Sequence, residues 1–155
     1  MAKVRRFEEL ICWQKARQLA NTIHGLTCHA EFARDFRLRD QILDAAGSVM
    51  HNIAEGSDSG TDPEFIRFLK MARRSASEVQ SELYLSLDRK YITMTELKQA
   101  YAQADEVKRL INGLIAYLRT NSPIKGSRVS EEQAEYLVGE QATALPENFY
   151  QTPDD

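Results

Sequence analysis

The chain has 155 residues with a net charge of −3, 43% hydrophobic and 28% charged residues. One domain of ordinary globular make-up fits that size and mix. No stretch approaches the roughly 20 apolar residues a membrane-spanning helix needs, and the basic start, Met1-Ala2-Lys3-Val4-Arg5-Arg6, lacks a signal core, so a cytoplasmic protein without membrane contact is expected. The charge is uneven. Residues 121–155 hold two basic and seven acidic residues, which leaves residues 1–120 at +2 and a tail at −5. Nucleic-acid binding therefore has to rest on a local patch rather than on overall charge.

A first helix is expected from Phe7 to about Thr27, with Trp13, Ala16, Ala20 and Ile23 as its stripe and Leu19 and Leu26 beside it. Trp13 at a stripe position reads as a core anchor. Cys12 and Cys28 are sixteen residues apart, about 24 Å along a helix, which is beyond disulfide reach. Residues 28–35 read as a connection. His24, Cys28 and His29 share a neighbourhood, but they fall short of a zinc ligand set and His51 has no companion motif, so neither metal nor cofactor is expected.

A second helix is expected over 36–55, with Leu38, Ile42, Ala45, Ala46, Val49 and Ile53 inward. Asn52 and Glu55 near its end read as structural groups that satisfy buried partners such as Ser75 and Glu78. Gly56 reads as the left-handed residue that closes the helix, and Ser57-Asp58-Ser59-Gly60 as a turn. Thr61-Asp62-Pro63-Glu64 then reads as a capping box. It opens a third helix, 62–89, striped by Phe65, Phe68, Ala72, Ala76, Val79 and Leu83. Arg67, Lys70, Arg73 and Arg74 lie on its outer face, and Arg67, Lys70 and Arg74 fall at i, i+3 and i+7. Cations at helical spacing can follow a phosphate backbone, which makes this strip the candidate nucleic-acid contact.

Thr93-Met94-Thr95-Glu96 is a second capping box, and the fourth helix runs from it to about Arg119. Its stripe of Leu97, Tyr101, Ala104, Ile111, Ile115 and Leu118 has a second beside it, Ala100, Val107, Leu110, Leu114 and Tyr117. So wide an apolar face is expected to serve subunit contact. Asn121-Ser122-Pro123 stops the helix, and 121–155 reads as an acidic, largely irregular tail. Short connections make the bundle of 1–120 an all-α, antiparallel up-down-up-down four-helix bundle. No phosphate loop or zinc-protease pair occurs, and Gly56-Ser57-Asp58-Ser59-Gly60 has Asp58 where a nucleophile elbow needs serine. No enzyme is expected.

The segments Trp13-Gln14-Lys15-Ala16, Asn52-Ile53-Ala54-Glu55-Gly56, Glu64-Phe65-Ile66-Arg67-Phe68-Leu69 and Ser75-Ala76-Ser77-Glu78-Val79 carry a resemblance. They resemble the four-helix-bundle proteins encoded in intervening sequences of bacterial 23S rRNA, to which the accessory protein of diversity-generating retroelements looks related. The resemblance covers about residues 7–119. It implies a ring-like homopentamer and, from the retroelement relative, nucleic-acid contact through a positive surface. Position by position, Arg67, Arg73 and Arg74 are the matching cations. Leu43-Asp44 stands where the family commonly has two basic residues, and Met50-His51 where it often has Pro-Ser. The function expected is a non-catalytic homo-oligomeric scaffold associated with RNA or ribonucleoprotein, with a protein–protein adaptor ring free of nucleic acid as the alternative.

Overall fold

The computed structural model describes residues 6–121. Five α-helices make up nearly all of them: α1 (Ile11–Thr27), α2 (Ala30–Arg34), α3 (Phe36–Ser57), α4 (Asp62–Asp88) and α5 (Met94–Thr120). The four long ones form a closed square in which each packs on its chain neighbours, with α5 returning to α1. Two core clusters set the directions. Trp13 and Ala16, early in α1, meet Ile53 late in α3, Leu69 early in α4 and Leu114 late in α5. At the other end Ile23, Ile42, Leu83 and Leu97 come together. Early halves thus meet late halves, the signature of an antiparallel up-down-up-down bundle. The expected tail over 121–155 lies, apart from Asn121, outside the described residues.

Local structure departs from the sequence expectations at the start of the first helix and in the connection beyond its end. Residues Phe7–Glu9 form a 3₁₀ turn, and Leu10 is extended at φ −71°, ψ 124° before α1 begins. That break drives Leu10 into the core, where it is fully buried, and it lets Gln14 Nε2 donate to the Glu8 carbonyl at 2.8 Å. Residues 28–35 are more than a connection, because α2 sits inside them and buries Phe32 completely. Five residues carry too little period to announce a helix. What holds α2 is the ring of Phe32, stacked on Tyr91 with centroids 5.2 Å apart.

Gly56 does not close α3. It lies inside the helix and is buried, and the positive φ expected of it belongs to Gly60 at 88°. Ser59 finishes α3 by donating to the Gly56 carbonyl from its backbone N at 3.1 Å and its Oγ at 2.6 Å. Thr61 makes only half of a capping box: its Oγ1 accepts from Glu64 N at 3.4 Å, while the Glu64 side chain turns to Arg67. The box at Thr93 is complete.

The wide apolar face of α5 is spent within the chain. Ala100, Val107 and Leu114 are fully buried, with Leu110 and Tyr117 packed against the core. The reason is position. A helix seated between α1 and α4 has two neighbours to cover and needs two stripes. Most of that face is taken up within the chain, with Leu110 and Tyr117 partly exposed at its edge. Among the described residues, the large apolar groups left exposed are Phe36, Met71, Tyr84, Leu85 and Met94. Four of these, all but Met71, lie at the end of the bundle that holds the α4–α5 connection.

Candidate functional site

α4 is the helix that both buries a core stripe and presents the cationic strip, and its sequence explains the split. Leu69, Ala72, Ala76, Val79 and Leu83 face inward with no exposure. Residues offset from that stripe by half a turn must face out. Arg67 and Arg74 are accordingly exposed and Lys70 is half-buried.

The four cations are not equivalent. Arg67 Nε donates to Glu64 Oε1 at 3.0 Å, and its guanidinium lies 4.6 Å from the centre of the Phe68 ring. That contact holds the Glu64 carboxyl below its ordinary value and raises Arg67 further. Arg73 leaves the strip altogether. It turns to α5, where Nη1 donates to Asn112 Oδ1 at 2.6 Å. Lys70 and Arg74 form no ion pair among the described residues. The strip therefore comprises Lys70 and Arg74, with Arg67 partly neutralised beside them.

The residues read as structural, Asn52, Glu55, Gly56, Ser75 and Glu78, are brought together only in part. Asn52 is buried, and its Nδ2 donates to the Ser48 carbonyl at 2.8 Å and to Ser48 Oγ at 2.9 Å. Ser75 Oγ donates to the same Ser48 oxygen at 3.0 Å. The link from Asn52 to Ser75 thus runs through Ser48, a residue the sequence offered only as a small side chain. Glu55 and Glu78 are exposed and take no part in this link. Gly56 contributes space, since a Cβ built on it would sit 2.7 Å from Phe68 Cβ and 2.8 Å from Phe65 Cδ2.

Sequence reasoning missed two further groups on α4. Gln80 is buried, donating to Asp105 Oδ1 at 2.8 Å and accepting from Lys108 Nζ at 3.1 Å. Glu82 is 4% exposed, with neither carboxyl oxygen hydrogen-bonded among the described residues. A glutamate in a polar-looking stretch gives no local sign of such burial. Elsewhere, Cys12 is buried and its thiol is pushed up to about 12 by burial, whereas Cys28 is exposed. Among the described residues, no group of three or more His, Cys, Asp or Glu is placed to hold a metal. No described helix is long and apolar enough to cross a membrane.

Fold and surface together define a helical-bundle protein with a cationic outer face on one helix and a polar seam between α3 and α4. The chain belongs to the family described as 23S rRNA-intervening sequence protein, which it matches over residues 8–113. Among solved structures it is similar to a protein of unknown function from the S23 ribosomal protein family of Bacteroides thetaiotaomicron. The two are 23% identical with a TM-score of 0.63, over 68% of this chain and 98% of the other. That likeness is one of fold. No curated protein matches.

Proposed function

We propose that the protein is a non-catalytic, cytoplasmic, homo-oligomeric scaffold, pentameric as its family resemblance implies, that contacts RNA or a ribonucleoprotein through the outer face of α4. The observation that carries this reading is the pair Lys70 and Arg74, one turn apart on a face turned from the core and free of ion pairs among the described residues. Phosphates are the anions that such spaced cations fit best. The family's description as an rRNA-intervening sequence protein, and the ribosomal family of its structural neighbour, support an RNA setting. Subunit contact falls to the exposed apolar groups Phe36, Tyr84, Leu85 and Met94, because α5 buries most of its apolar face within the chain. These same groups favour the second reading, an adaptor ring that binds protein alone.

The test is mass by light scattering, then RNA titration of the same sample at about 50 mM and about 150 mM salt. The scaffold reading expects an oligomer whose affinity drops steeply with salt. The double charge reversal Lys70→Glu with Arg74→Glu should weaken binding at every RNA sequence and lower the salt slope by about 1–2. Arg73→Ala, a contact held by Asn112, should leave that slope unchanged. An oligomer indifferent to RNA at low salt would leave the adaptor ring.

A further inference from the structure

The interface between α3 and α4 is edged by polar side chains at helical spacing on both sides, of which Asp44 and Glu78 are exposed. Asp44, Ser48 and Asn52 recur every four residues on α3, while Ser75, Glu78 and Glu82 fall at i, i+3 and i+7 on α4. The Ser75–Ser48 hydrogen bond ties the two rows together at one level. Antiparallel packing then brings Asp44 to the level of Glu78 and Glu82, and Asp44 and Glu78 are the two charged groups that act on Glu82. Both are acidic, and no cation from either helix offsets them. Glu82 itself is buried, and neither of its oxygens finds a donor among the described residues.

A carboxylate without a donor or a cation is strongly disfavoured in such a place, whereas the neutral acid is tolerated. We propose that the α3–α4 seam is a proton-operated latch: with Glu82 protonated the seam stays closed, and loss of that proton opens it to water. The O–H bond of the carboxylic acid breaks, the proton passes to solvent, and the carboxylate is left facing Glu78 and Asp44. No donor among the described residues stabilises that charge, and water reaches it as α3 and α4 part locally. Burial, with the two neighbouring carboxylates adding to it, pushes the Glu82 carboxyl up to about 7. This value sets the working range of the latch near neutrality.

The direction follows from linkage. Because the folded value lies above the ordinary 4.5, the folded state holds the extra proton. The closed seam is therefore favoured most at mildly acidic pH and loses that advantage as pH rises from 4.5 to about 7. The latch does not depend on RNA binding by α4.

Carbon-detected titration of the glutamate carboxyls in the wild-type chain tests the claim directly, alongside amide hydrogen exchange of α3 and α4. One glutamate should titrate about two units above the rest, and its signal should vanish in Glu82→Gln. Exchange along the seam, corrected for intrinsic pH dependence, should rise about tenfold or more between about pH 5.5 and about pH 8.5 in the wild type and stay level in Glu82→Gln. An ordinary midpoint for Glu82, or the same exchange rise in both proteins, overturns the latch. If Glu82→Gln does not fold, the wild-type titration and exchange decide alone.

Discussion

Gly56 of α3 and Phe68 of α4 touch so closely that a methyl group on the first would lie 2.7 Å from the Cβ of the second. The glycine near the end of the helix is thus an approach point for a neighbour and not a cap. No flexible side-chain tip can yield there, because the Phe68 Cβ is fixed to the backbone of α4. Gly56→Ala is expected to push the two helices apart and cost about 1–3 kcal/mol. A denaturant midpoint unchanged from the wild type would show that the helices tolerate the extra carbon.

The bridge from Asn52 through Ser48 to Ser75 predicts coupling between two residues that share Ser48 as their hydrogen-bond partner. Asn52→Ala removes two donors' worth of bonding from a buried site and should cost about 1–2 kcal/mol, and Ser75→Ala about half as much. Because both act on Ser48 Oγ, a double-mutant cycle between them should show a coupling of about 0.5 kcal/mol or more. Strict additivity in urea unfolding would mean the bridge does not act as a unit.

Lys90 holds the left-handed position that ends α4, with φ 61°. The pattern around it is a Schellman closure: Tyr91 N donates to the Ser86 carbonyl and Lys90 N to the Leu87 carbonyl, both at 2.9 Å. A side chain at that φ is strained where glycine is not. Lys90→Gly is therefore expected to stabilise the fold by about 0.5–1 kcal/mol, offset in part by the entropy glycine gains when unfolded. Thermal unfolding reads the sign, and a lower midpoint would refute the strain.

Asp35 ties three elements at once. Its Oδ1 accepts from Leu38 N at 3.2 Å to cap α3, and its Oδ2 accepts from Arg89 Nη1 and Tyr91 Oη at 2.9 Å. The bond from Leu38 N, then that from Tyr91, holds its carboxyl below the ordinary 3.8. Glu96 is held low as well, first by the Thr93 backbone in the α5 capping box and then by His29. Groups lowered in the folded state stabilise it above their unfolded values, and that stability goes as pH falls through the folded ones. Acid unfolding should thus set in below about pH 4, and stability should fall less steeply with decreasing pH in Asp35→Asn. Since Glu82 acts in the opposite sense from 4.5 upward, the melting temperature should peak between about pH 4 and about pH 5. In Glu82→Gln the acid limb should remain and the plateau should extend to neutral pH.

The long helices, their order and their antiparallel course were legible in the chain because each stripe repeats at the helical period and each connection is short. Thr93 and Glu96 announced their own cap. The motif from Asn52 to Val79 indicated the family. Such signals are local, arising between residues a turn or two apart. Tertiary structure alone decided what depends on the facing helix. It turned Gly56 from a cap into a contact and routed Asn52 to Ser75 through Ser48. It also drew Arg73 to Asn112 while leaving Lys70 and Arg74 outward, and consumed the second stripe of α5. Glu82 is the clearest instance, for its place on α4 is written in the sequence, but its burial beside Asp44 exists only because α3 packs over it.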